Sequence, residues 1–259
     1  MMTAAITPPL PSLAPLVPGD KLGAAAQLAA QGCAVLPDVF DADEVRGLLQ
    51  IVDTATGSSS NFRRTQDLFA IRNLLGEIPA LQGLLFTPKL RQLLAALFPI
   101  TPYLTKAIYF DKPAQSNWLV AWHQDLMISV DKRLEIPHFG PWTDKKGDIS
   151  VQPPRDISEN ICTLRLHLDD CDATNGALKV VPGSHQHGAI PATELSTYTA
   201  HAISCPSPAG SVMLMKPLTL HASNRSTSPR PRRVIHLEFS SLNLPAGLQW
   251  RERLNVPIV

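Results

Sequence analysis

The sequence has no long apolar run and almost no net charge. No stretch approaches the roughly 20 consecutive apolar residues that a membrane-spanning helix requires. The 23 lysine and arginine residues nearly balance the 22 aspartate and glutamate residues, so the formal net charge is only +1. This balance argues against electrostatic binding to nucleic acid or to an anionic membrane. The N-terminus also lacks a basic start followed by an unbroken apolar segment, so no secretory signal is expected.

Cysteine is scarce, with four residues in a chain of 259. They are widely scattered, and none forms the Cys-x-x-Cys pair that is typical of a zinc knuckle. Free thiols in a reducing, cytoplasmic setting are therefore expected, with a single disulfide as the alternative. The four positions are Cys33, Cys162, Cys171 and Cys205.

The chain length favours one domain, because all-β barrels and sandwiches of this size usually form a single unit. Repeated prolines in residues 1–20 predict a flexible arm, so the predicted domain is 21–259. Its front, about 21–100, is mainly helical and is expected to pack outside the rest. There Asp41–Glu44 predicts a capping box that opens a helix. From about 101 to 245 the pattern changes to short β-strands.

The strand-rich part of the chain predicts the fold class. Residues 161–168 alternate clearly, with leucines on one face and Thr163, Arg165 and His167 on the other. Many short strands behind a helical front, separated by glycine and proline turns, predict a mainly β fold with flanking α-helices. The expected architecture is a cupin-like double-stranded β-helix, or jelly roll. Residues 126–160 are irregular and rich in proline, and we expect them to cover the mouth of the site.

A His-x-Asp pair, His123 and Asp125, ends one predicted strand. Side chains two residues apart on a strand point to the same side. An imidazole and a carboxylate placed so are two of the three ligands in the 2-His-1-carboxylate triad of non-haem Fe(II) sites. His221, which follows a later strand, is the best candidate for the third ligand. Arg232 begins the next strand, and its planar, permanently charged guanidinium suits a carboxylate held near a metal.

These residues are part of an ordered set of motifs that resembles the phytanoyl-CoA dioxygenase family of Fe(II)/2-oxoglutarate-dependent oxygenases. The set covers about residues 100–240, and the helical front suits the same family. Each motif alone is weak, whereas the ordered set is specific. The motifs are His123-Gln124-Asp125, Leu168-Asp169-Asp170 through Asn175-Gly176, Pro182-Gly183-Ser184-His185, and His221-Ala222-Ser223 with Arg232.

The resemblance implies roles for five residues. His123, Asp125 and His221 are expected to be the metal ligands and the catalytic centre. Arg232 is expected to pair with the distal carboxylate of 2-oxoglutarate, with help from Ser223. The implied cofactors are Fe(II), 2-oxoglutarate as co-substrate and O₂, with ascorbate as an activator in vitro.

Other pocket positions follow from the same resemblance. Ile108 and Arg165 are expected to line the co-substrate site, and Arg72 lies near a basic contact of some relatives, where the alignment is loose. A buried arginine demands an anionic partner. For Arg165 the candidates are 2-oxoglutarate, an acidic group of the substrate, Asp169 or Glu238.

The implied activity is hydroxylation of an unactivated C–H in a small molecule, with release of succinate and CO₂. The carboxylate Asp125 favours hydroxylation, because related halogenases carry a small residue there; desaturation and ring formation are alternatives. The family acts on acyl-CoA thioesters, amino acids and many secondary metabolites, so the resemblance names no substrate. Arg63, Arg64 and Arg165 indicate an acidic one.

Two other function classes compete with this interpretation. A cupin-like hydrolase or isomerase would use the same barrel with Zn²⁺ or Mn²⁺, and would have no need for an arginine at Arg232. A non-catalytic binding module could keep the barrel, but it would have no reason to keep all three metal ligands.

Overall fold

The computed structural model describes residues 13–65, 69–113, 116, 118–145 and 147–256. Five of the seven described α-helices lie before residue 100, and most strands follow them. The described helices are α1 (Lys21–Gln31), α2 (Ala42–Asp53), α3 (Leu74–Glu77), α4 (Leu81–Leu85), α5 (Pro88–Leu97), α6 (Arg155–Asn160) and α7 (Leu195–Thr199), with 3₁₀ turns at Ser184–His187 and Pro245–Gly247. The described strands are β1 (Cys33–Leu36), β2 (Phe62–Arg64), β3 (Phe69–Arg72), β4 (Tyr103–Lys112), β5 (Val120–His123), β6 (Ile128–Ser129), β7 (Trp142–Lys145), β8 (Asp148–Val151), β9 (Cys162–His167), β10 (Leu178–Val180), β11 (Ile203–Cys205), β12 (Val212–Met215), β13 (His221–Ser223), β14 (Arg232–Ser240) and β15 (Leu254–Asn255).

Two antiparallel sheets form the core of the molecule. The larger has eight strands in the order β1-β12-β9-β14-β4-β3-β2, with β15 paired to β4, and the smaller has the order β11-β10-β13-β5. The sheets face each other, since buried Met213 and Met215 of β12 cluster with Leu178 and Val180 of β10. This arrangement confirms the predicted double-stranded β-helix.

The large sheet has an apolar outer face and a polar inner face. On β9, Leu164 and Leu166 point outward into the main hydrophobic core, which also contains Leu48 and Leu93 from the helices. Thr163, Arg165 and His167, which alternate with these leucines, point inward. The alternation predicted for residues 161–168 is therefore confirmed, and it separates the stabilising core from the face that can carry chemistry.

The first two long helices are fixed at their ends by side-chain and glycine caps. Asp20 accepts a hydrogen bond from the Gly23 N–H at 2.8 Å, and Gly32 ends α1 in the left-handed conformation at φ 79°. Asp41 and Glu44 form the predicted capping box at the start of α2. Such caps satisfy backbone N–H groups that the helix itself leaves unpaired.

The front of the chain is helical over most of its length, but it also extends the sheet. Strand β1 pairs with β12 at one edge, and β3 pairs with β4 near the other. The strands β2 and β3 are only 3 and 4 residues long. Strands this short carry too little alternation to stand out in a sequence, so the expectation of helices packed outside the sheet was incomplete.

The expectation that residues 126–160 are irregular was wrong. They contain a three-stranded antiparallel sheet in the order β6-β8-β7, followed by α6. This small sheet has its own apolar cluster, which includes Ile128, Val151 and Trp250. Its strands are 2 to 4 residues long, and Pro137 and Pro141 lie between β6 and β7, so no period was visible.

The predicted arm falls largely outside the described residues, which begin at Leu13. In the part that is described, Leu13 and Leu16 pack against buried clusters of the domain. All four cysteines are buried and free, as expected. None of the described helices has the length and apolarity needed to cross a membrane.

Candidate metal centre and its cavity

The three predicted ligands come together at one point between the two sheets. His123 ends β5 and His221 begins β13, and the two residues are register partners in the antiparallel pairing of these strands. Asp125 follows two residues after His123. The ligand atoms of the three side chains all lie within 4.8 Å of one another, and among the described residues this is the group that could hold a metal ion.

The residue between the first two ligands fixes the turn that carries them. Gln124 is buried and its amide donates to the carbonyls of Gly188 and Leu218, at 2.7 and 2.6 Å. Its side-chain oxygen accepts from the Ile190 N–H at 2.7 Å. Gln124 therefore points away from the ligands and ties their turn to a neighbouring loop.

Both imidazoles are oriented by backbone carbonyls. His123 Nδ1 lies 2.8 Å from the Ala121 carbonyl oxygen, and His221 Nδ1 lies 2.9 Å from that of Thr219. A carbonyl oxygen only accepts, so each Nδ1 carries the hydrogen and each Nε2 keeps its lone pair.

The two Nε2 atoms converge on one carboxylate. They lie 3.6 and 3.7 Å from the oxygens of Asp125, which is too long for a hydrogen bond. Two lone pairs and a carboxylate aimed at a common point fit a divalent cation of the Fe(II) type, which accepts nitrogen and oxygen ligands.

The charges at this point favour the ligating forms of two residues. Burial opposes the charge of Asp125, but the neighbouring imidazoles outweigh it and hold the pKa of this carboxyl well below its usual range. Burial lowers the pKa of His221 to about 4, so the ring is neutral at pH 7. The nearby negative charge of the Asp125 carboxylate raises the pKa of His123. Metal binding would therefore compete with a proton at His123.

A cavity of about 420 Å³ opens beside the three ligands. All four other predicted pocket residues line it: Ile108, Arg165, Ser223 and Arg232. The volume is within the range of small-molecule sites. The small sheet of residues 128–151 supplies part of the wall, including Ser129, Thr143 and Ser150.

Arg232 is a buried cation that forms no ion pair with an acidic residue in the described part of the chain. It is 4% exposed, one Nη atom donates to the Gly176 carbonyl, and its Nε has no partner. The adjacent Arg233 is different, because its guanidinium and backbone N–H all bond Asp169, at 2.7 to 2.9 Å. Of these two neighbouring arginines, only Arg232 lines the cavity.

Ser223 lies across the cavity from the large sheet and is 1% exposed. Its hydroxyl is buried and has no hydrogen-bond partner. A buried hydroxyl without a partner is costly. Arg232 Nε and Ser223 Oγ are thus two buried donors that a bound carboxylate could satisfy.

Arg165 is the second buried cation of the cavity. It is 8% exposed, its Nη1 lies 3.2 Å from His236 Nδ1, and its Nε has no partner. Burial lowers the pKa of Arg165 to about 10, so it remains charged at neutral pH. Neither protein partner considered above contacts it: Asp169 bonds Arg233, and Glu238 bonds Lys106 at 2.8 Å.

His167 lies on the same inner face and is 1% exposed. Neither of its ring nitrogens has a partner. Burial, together with the nearby charges of Arg165 and Arg232, lowers the pKa of His167 well below its usual value. The ring is therefore neutral, and it is not among the residues that line the cavity.

Lys106, His236 and Glu252 line the cavity together with Glu238, and none of these three had a predicted role. Glu238 accepts from Lys106 and lies 3.1 Å from His236 Nε2, which places a hydrogen-bonded chain along one wall. Glu252 accepts from a backbone N–H at 2.8 Å, and burial raises its pKa to about 7. The alternating polar residues at 236 and 238 of the last long strand were the signal that could have found part of this wall.

The mouth of the cavity contains the remaining predicted basic contact. Arg72 lines it and pairs with Asp148 at 3.0 Å, which also pairs with Arg251 at 2.8 Å. Arg63 and Arg64 are exposed and are not among the lining residues. Arg63 and Arg64 therefore give no support to an acidic substrate.

Comparison with known proteins places these observations in a family context. The family model described as phytanoyl-CoA dioxygenase (PhyH) matches residues 28–234. No curated protein matches the chain.

Several solved structures are similar to the chain. EctD from S. alaskensis, in its apo form, is 19% identical with a TM-score of 0.68, over 100% of this chain and 96% of that one. The α-ketoglutarate-dependent carbocyclase SnoK from nogalamycin biosynthesis is 16% identical with a TM-score of 0.64, over 89% and 86%. The epimerase SnoN, in complex with Fe³⁺, α-ketoglutarate and nogalamycin RO, is 16% identical with a TM-score of 0.62, over 88% and 91%. At these identities the likeness establishes a shared fold.

Proposed function

The chain belongs to the phytanoyl-CoA dioxygenase family of Fe(II)/2-oxoglutarate-dependent enzymes, and we propose that it hydroxylates an unactivated C–H of a small molecule. In this proposal His123, Asp125 and His221 hold the iron, and Arg232 and Ser223 hold 2-oxoglutarate. The observation that carries the proposal is the convergence of two Nε2 lone pairs and a carboxylate beside a cavity with unpaired buried donors.

The metal and co-substrate would supply the oxidising chemistry, and the protein would supply position and exclusion of water. The carbonyls of Ala121 and Thr219 hold the two imidazoles in their ligating orientation. Such partners usually matter nearly as much as the ligands themselves.

The co-substrate would be bound along the inner face of the large sheet. The unpaired Nε of Arg232 and the unpaired hydroxyl of Ser223 offer charge-assisted hydrogen bonds to its distal carboxylate. Ile108 lines the same cavity and contributes an apolar contact. The substrate would enter past the small sheet, whose serine and threonine side chains face the cavity mouth.

A turnover assay tests this function. With Fe(II), ascorbate, 2-oxoglutarate and O₂, we expect the protein to release succinate, and His123→Ala and Arg232→Ala to abolish it. If both variants release succinate and bind 2-oxoglutarate like the unmodified protein, the assignment of the site is wrong.

The metal class and the reaction outcome need separate measurements. An anaerobic Fe(II)–2-oxoglutarate complex gives a weak visible charge-transfer band, and its absence from iron-loaded protein would favour the Zn²⁺ or Mn²⁺ hydrolase or isomerase.

Mass spectrometry of a metabolite extract then identifies the outcome of the reaction. Gain of one oxygen atom indicates hydroxylation, whereas loss of two hydrogens or an unchanged mass indicates desaturation, cyclisation or epimerisation.

A further inference from the structure

We infer that Arg165 is the recognition residue for a carboxylate of the substrate, so that the enzyme acts on a small acidic molecule. The inference rests on the proposed function, because it takes the iron and 2-oxoglutarate sites as given. Arg165 lies on the cavity face of β9, opposite His236 of β14 in the strand register.

Arg165 has no ion-paired counter-ion among the residues that the structure describes. It forms no ion pair with any described carboxylate, and its one described hydrogen bond goes to the neutral acceptor Nδ1 of His236. Glu238 is engaged by Lys106, and Asp169 by Arg233. A buried cation without a counter-ion is expensive, so an anion from outside the protein is expected.

Binding of the proposed cofactors would add both positive and negative charges to the cavity. The two charges of Fe(II) and the charge of Arg232 balance those of Asp125 and the 2-oxoglutarate dianion. The nearby Lys112 does not line the cavity and is held by the Asn224 carbonyl at 2.6 Å. Lys106 and Glu238 line the same cavity as an ion pair of their own, so with the cofactors bound the charge of Arg165 is still not paired with any described carboxylate.

Arg165 is held in place before any ligand binds. Because Arg165 donates to His236 Nδ1, the other ring nitrogen carries a hydrogen and donates to Glu238, which Lys106 also holds. This chain of Lys106, Glu238, His236 and Arg165 fixes the guanidinium on the cavity wall. A donor fixed in advance loses little entropy on binding an anion.

The inference is tested by two binding measurements on Arg165→Met, with Arg165→Lys and Arg165→Gln as companion variants. The first is the affinity for 2-oxoglutarate, from the visible band of the anaerobic Fe(II) complex. The second is binding of propionate and of its neutral analogue propionamide to Zn(II)-substituted, 2-oxoglutarate-saturated protein, followed by ligand-observed NMR. Arg233→Met is the matched control, because it removes an arginine that does not line the cavity and already has an acidic partner, Asp169.

We expect the unmodified protein to bind propionate more tightly than propionamide. Arg165→Met and Arg165→Gln should weaken propionate binding about tenfold or more, Arg165→Lys should weaken it less, and Arg233→Met should leave it unchanged. The affinity for 2-oxoglutarate should change less than about threefold in all of them, below the effect of one charged hydrogen bond.

Three outcomes overturn the inference. They are equal binding of propionate and propionamide, unchanged propionate binding in both Arg165→Met and Arg165→Gln, and a tenfold or greater loss of 2-oxoglutarate affinity in Arg165→Met. The last would assign Arg165 to the co-substrate. Absence of any Fe(II)–2-oxoglutarate band in the unmodified protein is a different result, because it contradicts the proposed function itself.

Discussion

His123 and His221 face each other directly across the paired strands β5 and β13, with ring centroids 4.2 Å apart and ring planes at 50°. Each ring is held through Nδ1 by the carbonyl of the residue two positions before it. The antiparallel pairing and these two hydrogen bonds fix the direction of both Nε2 atoms without a metal. The centre is therefore preorganised, and its ligands need little rearrangement to bind a cation.

Removal of one imidazole should abolish tight metal binding. In His221→Ala we expect the affinity for Fe(II) or Ni(II) to fall by more than about 100-fold, because loss of an outer hydrogen-bond partner alone costs up to about that factor. Competition with a chromophoric chelator measures the change. His201→Ala is the matched control, since His201 is exposed and does not line the cavity. Equal affinity in both variants would contradict the predicted ligand set.

Two adjacent arginines should differ sharply in their effect on 2-oxoglutarate. Arg232→Met should weaken its binding by about 10- to 100-fold, as expected for one charge-assisted contact of about 1.5–3 kcal/mol. Arg233→Met should leave that affinity unchanged and lower the free energy of unfolding instead, because Arg233 is bound to Asp169. Anaerobic titration and urea unfolding of both variants separate the two effects. The assignment fails if Arg233→Met is the variant that loses affinity.

Ser223→Ala should affect the co-substrate without affecting stability. The Ser223 hydroxyl has no hydrogen-bond partner among the described residues, so its removal breaks none of the described hydrogen bonds. We expect 2-oxoglutarate to bind about threefold to tenfold more weakly, which corresponds to one hydrogen bond of about 0.5–1.5 kcal/mol. The free energy of unfolding of the ligand-free protein should be unchanged or slightly higher. A clear loss of stability with normal 2-oxoglutarate binding would indicate a structural role.

His167 should make the protein sensitive to acid. Its pKa is lowered in the folded state by burial and by two arginines, while in the unfolded state it is about 6.5. Below that pH the unfolded chain takes up a proton that the folded protein excludes. Stability is therefore lost as the pH falls, by up to about 1.4 kcal/mol per pH unit.

The measurement is urea unfolding of metal-free protein between pH 7.5 and 5. His167→Leu should show a shallower loss of unfolding free energy with falling pH than the unmodified protein. His201→Leu, at an exposed position, controls for the loss of a histidine as such. Parallel pH profiles for His167→Leu and the unmodified protein would show that His167 does not titrate in this way.

The sequence by itself determined the features that depend on local geometry. His123 and Asp125 share one side because residues two apart on a strand do so, and Asp41 and Glu44 cap α2 because a capping box needs only neighbouring residues. The alternation of leucines with polar residues around Arg165 predicted the two faces of β9 for the same reason. Local periodicity failed only where strands of 2 to 4 residues were too short to show it, as in the small sheet of residues 128–151.

The tertiary structure alone decided which charges are satisfied. The sequence offered Asp169 and Glu238 equally to Arg165, and only the pairing of β14 with β9 and β4 shows that other cations hold both. It also brought His221 opposite His123, a relation between distant strands that no local pattern contains. The physical reason is that strand register and long-range packing fix electrostatic partners, and these depend on the whole fold rather than on neighbouring residues.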